Sequence, residues 1–91
     1  MEKTEICRKI IRLENGESRT LVYSLVTQRR DVFCTADRYG ADIEIAETGE
    51  EAAVNDISTD RDSALRLIDI LATGYVTPVS LRDLVYDYLC L

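Results

Sequence analysis

Histidine and tryptophan are absent from this 91-residue chain, proline occurs once and cysteine three times. Without histidine there is no Ser-His-Asp or Cys-His nucleophilic system, and the commonest zinc and iron ligand is missing. The four glycines (Gly16, Gly40, Gly49, Gly74) form neither a G-x-G-x-x-G nor a G-x-x-x-x-G-K-S/T loop, which removes the usual nucleotide-phosphate cradles. Cys7, Cys34 and Cys90 are odd in number, widely spaced and in no C-x-x-C pair. Reduced, half-buried thiols are therefore expected, not a disulfide framework or a zinc knuckle. No apolar run approaches the roughly 20 residues needed to cross a bilayer, and the opening Met1-Glu2-Lys3-Thr4-Glu5 lacks the basic-then-apolar order of a secretion signal. A cytoplasmic protein with no cofactor and no metal is the expectation these absences set.

What is present is the balance of an ordinary globular domain, 46% apolar and 31% charged. Length allows one domain over 1–91 with a core of its own and leaves no room for two. The formal charge of −6 is unevenly spread. Residues 1–41 carry +2, residues 42–62 carry −7 and residues 63–91 carry −1. A mid-chain acidic field repels phosphate backbones and anionic lipid, so neither nucleic acid nor a membrane surface is expected as a partner.

Residues 5–13 and 19–30 are rich in Ile, Leu, Val, Tyr and Thr and flank Glu14-Asn15-Gly16-Glu17. Asn-Gly supplies the positive φ of a tight hairpin, so the two segments are expected to pair antiparallel. A two-residue loop sets Arg12 opposite Arg19, whereas a three-residue, bulged loop gathers Cys7, Ile11 and Leu13 with Leu21, Tyr23 and Leu25 and gives the better apolar face. Residues 39–47 alternate, with Tyr39, Ala41, Ile43 and Ile45 one way and Asp42 and Glu44 the other, as in a strand with one wet face. Glu47-Thr48-Gly49-Glu50 reads as a turn, and Ala52 to Ile57 as a returning strand carrying either Ala53 and Ile57 or Ala52 and Val54 inward. Residues 31–38 read equally as strand or loop.

From residue 58 the period lengthens to about 3.6. Thr59 with Asp62 three residues on resembles a capping box, predicting a helix over 60–73 with Gly74 as its left-handed stop. Its stripe is Ala64, Leu65, Ile68, Leu71 and Ala72, and Leu67 and Ile70 widen the apolar surface beyond it. Thr77-Pro78 opens a second helix over 78–89 whose stripe is Leu81, Leu84, Val85, Tyr88 and Leu89. Segregated strands and helices predict an α+β fold, ββββαα in order: an antiparallel sheet of three to four strands (about 5–57) covered on one face by two C-terminal helices.

The Tyr39-Gly40-Ala41-Asp42-Ile43-Glu44 strand, Asp56-Ile57-Ser58 read as opening a helix, and Val76-Thr77-Pro78-Val79-Ser80-Leu81-Arg82-Asp83-Leu84-Val85 resemble a family of small uncharacterised bacterial proteins of unknown function. The likeness spans most of the chain and rests on structural punctuation. It implies no activity, cofactor or site residue.

Few residues are arranged for chemistry. Asp42 and Glu44 share a strand face about 7 Å apart, which serves a cation only if other oxygens converge, and a solvated face is the expectation. Asp60-x-Asp62 opens like a calcium loop, but Ala64 and Leu65 stand where a ligand and the sharp-turn glycine belong, so these are read as acids at a helix N-terminus. Gln28-Arg29-Arg30 with Arg38-Tyr39 is read as a polar strand end, Cys34 as a small core or rim residue, and Tyr86 and Tyr88 as packing and surface residues. No catalytic, cofactor-binding or metal residue is assigned. The leading expectation is a non-catalytic interaction module, a homodimer or the binder of an unidentified protein, joined through the surplus apolar residues Leu67, Ile70, Leu89 and Leu91. The alternatives are a carboxylate and arginine enzyme centred on Asp37, Arg38 and Tyr39, and an acidic nucleic-acid mimic using residues 42–62.

Overall fold

A computed structural model of the chain describes residues 2–28 and 37–89, with side chains as far as Asp87. Four strands, β1 (Glu2–Arg12), β2 (Ser18–Gln28), β3 (Arg38–Ile45) and β4 (Glu51–Ser58), form one antiparallel sheet in the order β1-β2-β3-β4. Helix α1 (Arg61–Thr73), a 3₁₀ turn (Pro78–Ser80) and helix α2 (Leu81–Leu89) follow. The predicted ββββαα order is the observed one. Arg29, Arg30 and Cys34, and with them most of the 31–38 segment, lie outside the described residues.

The hairpin loop is the three-residue one. Leu13 N–H donates to Glu17 O at 2.7 Å and Gly16 N–H to Leu13 O at 3.0 Å, with Gly16 at φ +88° and the Asn15 side chain accepting from Glu17 N–H at 2.9 Å. Arg12 consequently faces Ser18, not Arg19, and Cys7 faces Tyr23 after a bulge between Glu5 and Cys7. This register sends Leu21, Tyr23 and Leu25 of β2, with Ala41 and Ile43 of β3, to one side, where they are buried together.

The inward pair on β4 is Ala52 and Val54, whereas Ala53 is exposed on the helix-free face. Ala52 and Val54 pack on the core, and so does Ile57, because a bulge intervenes: Ala41 pairs with Val54 while Tyr39 pairs with Ser58. Asp56 takes the left-handed conformation there (φ 62°), so Asp56-Ile57-Ser58 ends a strand and does not open a helix. The bulge also lays the β4 backbone over Gly40. A Cβ on Gly40 would overlap the Val54 carbonyl oxygen and stand 2.8 Å from Asn55 Cα, so only glycine fits.

Helix α1 lies across all four strands, and α2 packs against β4. Ala64, Leu67, Ile68, Leu71 and Ala72 of α1 and Leu81 and Val85 of α2 join the buried sheet residues in one cluster. Tyr23, fully buried at its centre, donates its hydroxyl to Val76 O at 2.8 Å, tying the sheet to the segment between the helices. Desolvation in that position pushes its phenol up to about 12.

Three helix-end expectations need correction. The N-cap of α1 is Asp60, whose carboxylate receives the Ser63 hydroxyl at 2.7 Å, while Thr59 lies outside the helix. Gly74 is not left-handed (φ −87°); Tyr75 is (φ 52°), and Val76 N–H to Leu71 O (3.0 Å) with Tyr75 N–H to Ala72 O (3.1 Å) complete a Schellman ending shifted one residue onward. The second helix begins as a 3₁₀ turn, with α geometry only from Leu81.

Gly40→Ala and Gly16→Ala separate lack of space from backbone strain. Gly16 has open space around it, so its alanine costs only the left-handed penalty, about 1 kcal/mol, whereas Gly40→Ala must displace the β4 backbone and is expected to cost on the order of 3 kcal/mol. Urea unfolding of the two variants measures both. Equal losses would mean that the β4 bulge yields freely.

Candidate functional site

Two of the concave features among the described residues stand on opposite sides of the sheet. The first lies in the helix layer, a groove of about 470 Å³ bounded by Leu67, Ile70, Leu71, Gly74 and Val76 on the α1 side and by Leu84 and Asp87 of α2. The i, i+3, i+4 spacing of Leu67, Ile70 and Leu71 puts them on one flank of α1. Leu67 is only 2% exposed and forms the floor, spending its bulk on the molecule's own core. Ile70, 54% exposed, stands on the rim. The sequence placed Leu65 in the core stripe and Leu67 outside it; the structure buries Leu67 and leaves Leu65 half-buried at the core's edge.

Leu84 was assigned to the core and is instead 41% exposed on the groove's other lip. Along α2 each residue advances about 100°, so Leu84 lies about 60° from Leu81 and about 100° from Val85, at the edge of the apolar stripe. Leu81 and Val85, four apart, face the core, and Leu84 is left beside it. Of the other two residues expected at the interface, the Leu89 side chain and Leu91 lie outside the described residues.

The second feature lies on the face without helices. Alternation puts Asp42 there as expected, but the expected wet surface is not found: Asp42 is 2% exposed. Its neighbours come from far along the chain. Lys3 reaches from β1 across β2, placing Nζ 3.2 Å from Asp42 Oδ2 and 2.7 Å from Glu51 Oε2 on β4. Only the contact to Glu51 has hydrogen-bond alignment, and neither Asp42 oxygen receives a hydrogen bond. Around these groups is a concavity of about 300 Å³ lined by Glu2, Lys3, Val26, Asp42, Glu51, Ala53 and Asn55, with Asn55 standing in the β4 bulge that lies over Gly40.

Burial raises the Asp42 carboxyl to about 6; Glu51 beside it adds to the rise, and Lys3 opposes it. Glu51 moves the other way, held below its ordinary value first by its hydrogen bond from Lys3. The shared ammonium thus favours the partner with access to water, and its own pKa is raised by the two carboxylates.

The remaining candidates do not converge. Arg38 pairs with Asp56 at 3.1 Å, Tyr39 packs towards the helix-side core, and Asp37 precedes β3, so consecutive strand residues leave on opposite faces. Acids of the 42–62 stretch are engaged within the molecule: Glu47 accepts from Thr20 N–H (2.7 Å) and Oγ1 (2.8 Å), Glu51 from Lys3 and Asp60 from Ser63. Cys7 is half-buried against the core. Among the described residues no three His, Cys, Asp or Glu side chains are grouped to hold a metal ion, and no helix is long and apolar enough to cross a membrane.

Residues 2–91 match a family model described as "Family of unknown function (DUF6514)", and the chain belongs to that family. No curated protein and no solved structure matches it.

The raised Asp42 carboxyl sets a pH dependence. Between its ordinary value of 3.8 and about 6 the folded chain keeps a proton that the unfolded chain has lost, so stability carried by this group falls as pH rises through that window and is level above it. Lys3, raised, contributes a constant amount below its ordinary 10.5, and Glu51, lowered, gains only up to its ordinary 4.5. Asp42→Asn is therefore expected to be more stable than the parent at about pH 7, by roughly 1 to 2 kcal/mol after allowing for the lost attraction to Lys3, with the difference vanishing near pH 4. Urea unfolding across that range measures it. A variant weaker than the parent at neutral pH would contradict the assignment.

Proposed function

We propose that this member of the family is a non-catalytic, cytoplasmic protein–protein interaction module, and that it self-associates through the groove between α1 and α2. The observation that carries this reading is where apolar surface is left over. Of the exposed large apolar residues, Ile70, Tyr75, Val79, Leu84 and Tyr86 belong to the helical segment, against Ile6 and Ile10 on β1. Ile70 and Leu84 line the same groove, and exposed apolar side chains gathered at a recess mark a contact surface.

A second copy is the occupant favoured by shape and by charge. A two-fold contact uses the same patch twice and so needs a projection and a recess side by side, which Ile70 and the groove next to it supply. Acid is concentrated in residues 42–62, on β3, its turn and β4, whereas residues 63–91 carry only −1 and Asp87 is the one charged residue among the described residues that line the groove. Two copies each carrying −6 repel least across that side.

Sedimentation equilibrium over micromolar concentrations tests the reading. The parent is expected to be a dimer, and Ile70→Asp and Leu84→Asp each to raise the dissociation constant by at least about tenfold, since each removes half-exposed apolar surface worth roughly 1 kcal/mol or more and inserts a charge. Both side chains are already partly in water, so both variants are expected to unfold at close to the parent's denaturant midpoint. A parent that stays monomeric, or dimers indifferent to both substitutions, would reject it.

A further inference from the structure

The concavity on the helix-free face stands apart from the groove and holds a group whose requirements are not met. An ionised carboxylate offers about four acceptor sites, and one removed from water must have its charge answered by donors. Asp42, 2% exposed, receives no hydrogen bond on either oxygen, and the ammonium 3.2 Å from Oδ2 is already hydrogen-bonded to Glu51. Both oxygens lie out of water beneath the Lys3 head, at the floor of a hollow of about 300 Å³, near the lower end of small-ligand clefts, roughly 300–1,000 Å³, so a ligand reaches them by displacing that half-exposed ammonium. Among the described residues its lining combines apolar surface, Val26 and Ala53, with the carboxylates of Asp42 and Glu51 facing one ammonium, that of Lys3. From β2 only Ser24 and Val26 flank Asp42, from β1 come Lys3, Glu5 and Arg8, from β4 Glu51, and on β3 itself Glu44 shares the face.

A ligand for such a site is a cation, rich in donors, with an apolar portion. An anion meets excess negative charge. A divalent metal finds no group of three ligating His, Cys, Asp or Glu side chains among the described residues. A second ammonium would repeat the single-point contact that Lys3 makes. A guanidinium is planar, is less strongly hydrated than an ammonium, and presents its N–H groups as a fork that spans both oxygens of one carboxylate. We infer that the concavity binds a guanidinium carried on an aliphatic stem, with the fork on Oδ1 and Oδ2 of Asp42 and the methylenes on Val26 and Ala53. The group arrives either as a free small molecule or as an arginine side chain on a peptide. The site does not depend on self-association, since it lies on the opposite side of the sheet.

Titration of the ¹⁵N-labelled full chain at about pH 8, where Asp42 is ionised, tests this with agmatine and with a doubly capped Gly-Arg-Gly peptide, using n-butylammonium and Mg²⁺ for comparison. Saturable shifts at the Val26, Ala53 and Asn55 amides are expected, with a dissociation constant of about 1 mM or below. Asp42→Asn is expected to weaken binding at least about tenfold, and Lys3→Gln to tighten it severalfold by removing the competing cation. Binding of agmatine alone assigns a free guanidinium, and tighter binding of the peptide assigns an arginine side chain; both outcomes support the site. Absence of saturation by both probes up to about 10 mM, equal binding of n-butylammonium or Mg²⁺, or an affinity unchanged by Lys3→Gln would overturn it. The last of these holds even if Asp42→Asn failed to fold.

Discussion

Strand β2 is buried over six consecutive residues, Leu21 to Val26, although helices cover only one side of the sheet. A strand with one wet face alternates, so the other face must be closed by something else. Its alternate residues Leu21, Tyr23 and Leu25 go to the helices, and the rest follows from the pairing. Val22 lies between Arg8 and Glu44, Ser24 between Glu5 and Asp42, and Val26 between Lys3 and Gly40. Long charged side chains on the flanking strands lay their stems over the middle strand and carry their heads outward. Opposite charges across β2 make that cover self-consistent: Lys3 meets Asp42 and Glu51, and Arg8 pairs with Glu5 at 2.9 Å while feeling the attraction of Glu44. The same charges on β1 protect an edge that would otherwise invite strand addition.

The two sides therefore differ in what holds them. On the helix side, area burial dominates, and Tyr23 locates the inter-helix segment through one hydrogen bond to Val76. On the other side a buried carboxylate is tolerated at some cost to stability, offset in part by Lys3. Helix packing is complete over β2 and β3 but leaves a recess where α1 ends and α2 begins, and that recess carries the proposed contact between copies. Apolar surplus and polar deficit thus fall on opposite sides of one thin sheet.

Local patterns made much of this legible. Asn15-Gly16 announced the hairpin and the apolar face chose its three-residue loop; the alternation of 39–47 and the period change near residue 58 located β3 and α1. What stayed hidden depends on neighbours or on phase. Nothing near Asp42 in the chain marks it as buried, because Lys3 and Glu51 are brought to it by pairing across the sheet. Leu84 has helical spacing with the core residues Leu81 and Val85 but lies at the edge of their stripe, and which edge is covered depends on how α2 is set against the rest. The β4 bulge was not legible either: Ala52 and Val54 face inward and Ala53 does not, yet a left-handed Asp56 brings Ile57 inward with them. Of the expected contact residues, Leu67 and Ile70 do meet in one groove, one as its floor and one as its rim.

The claim on which this description turns is that the helix-free side is closed over a buried carboxylate. Carbon-detected NMR titration of the Asp42 side-chain carboxyl reads that state directly. A midpoint near the expected value of about 6 means that the group sits out of water beneath Lys3. A midpoint at or below the ordinary 3.8 would mean that solvent reaches it freely, and the closed polar side, with the site built on it, would have to be abandoned.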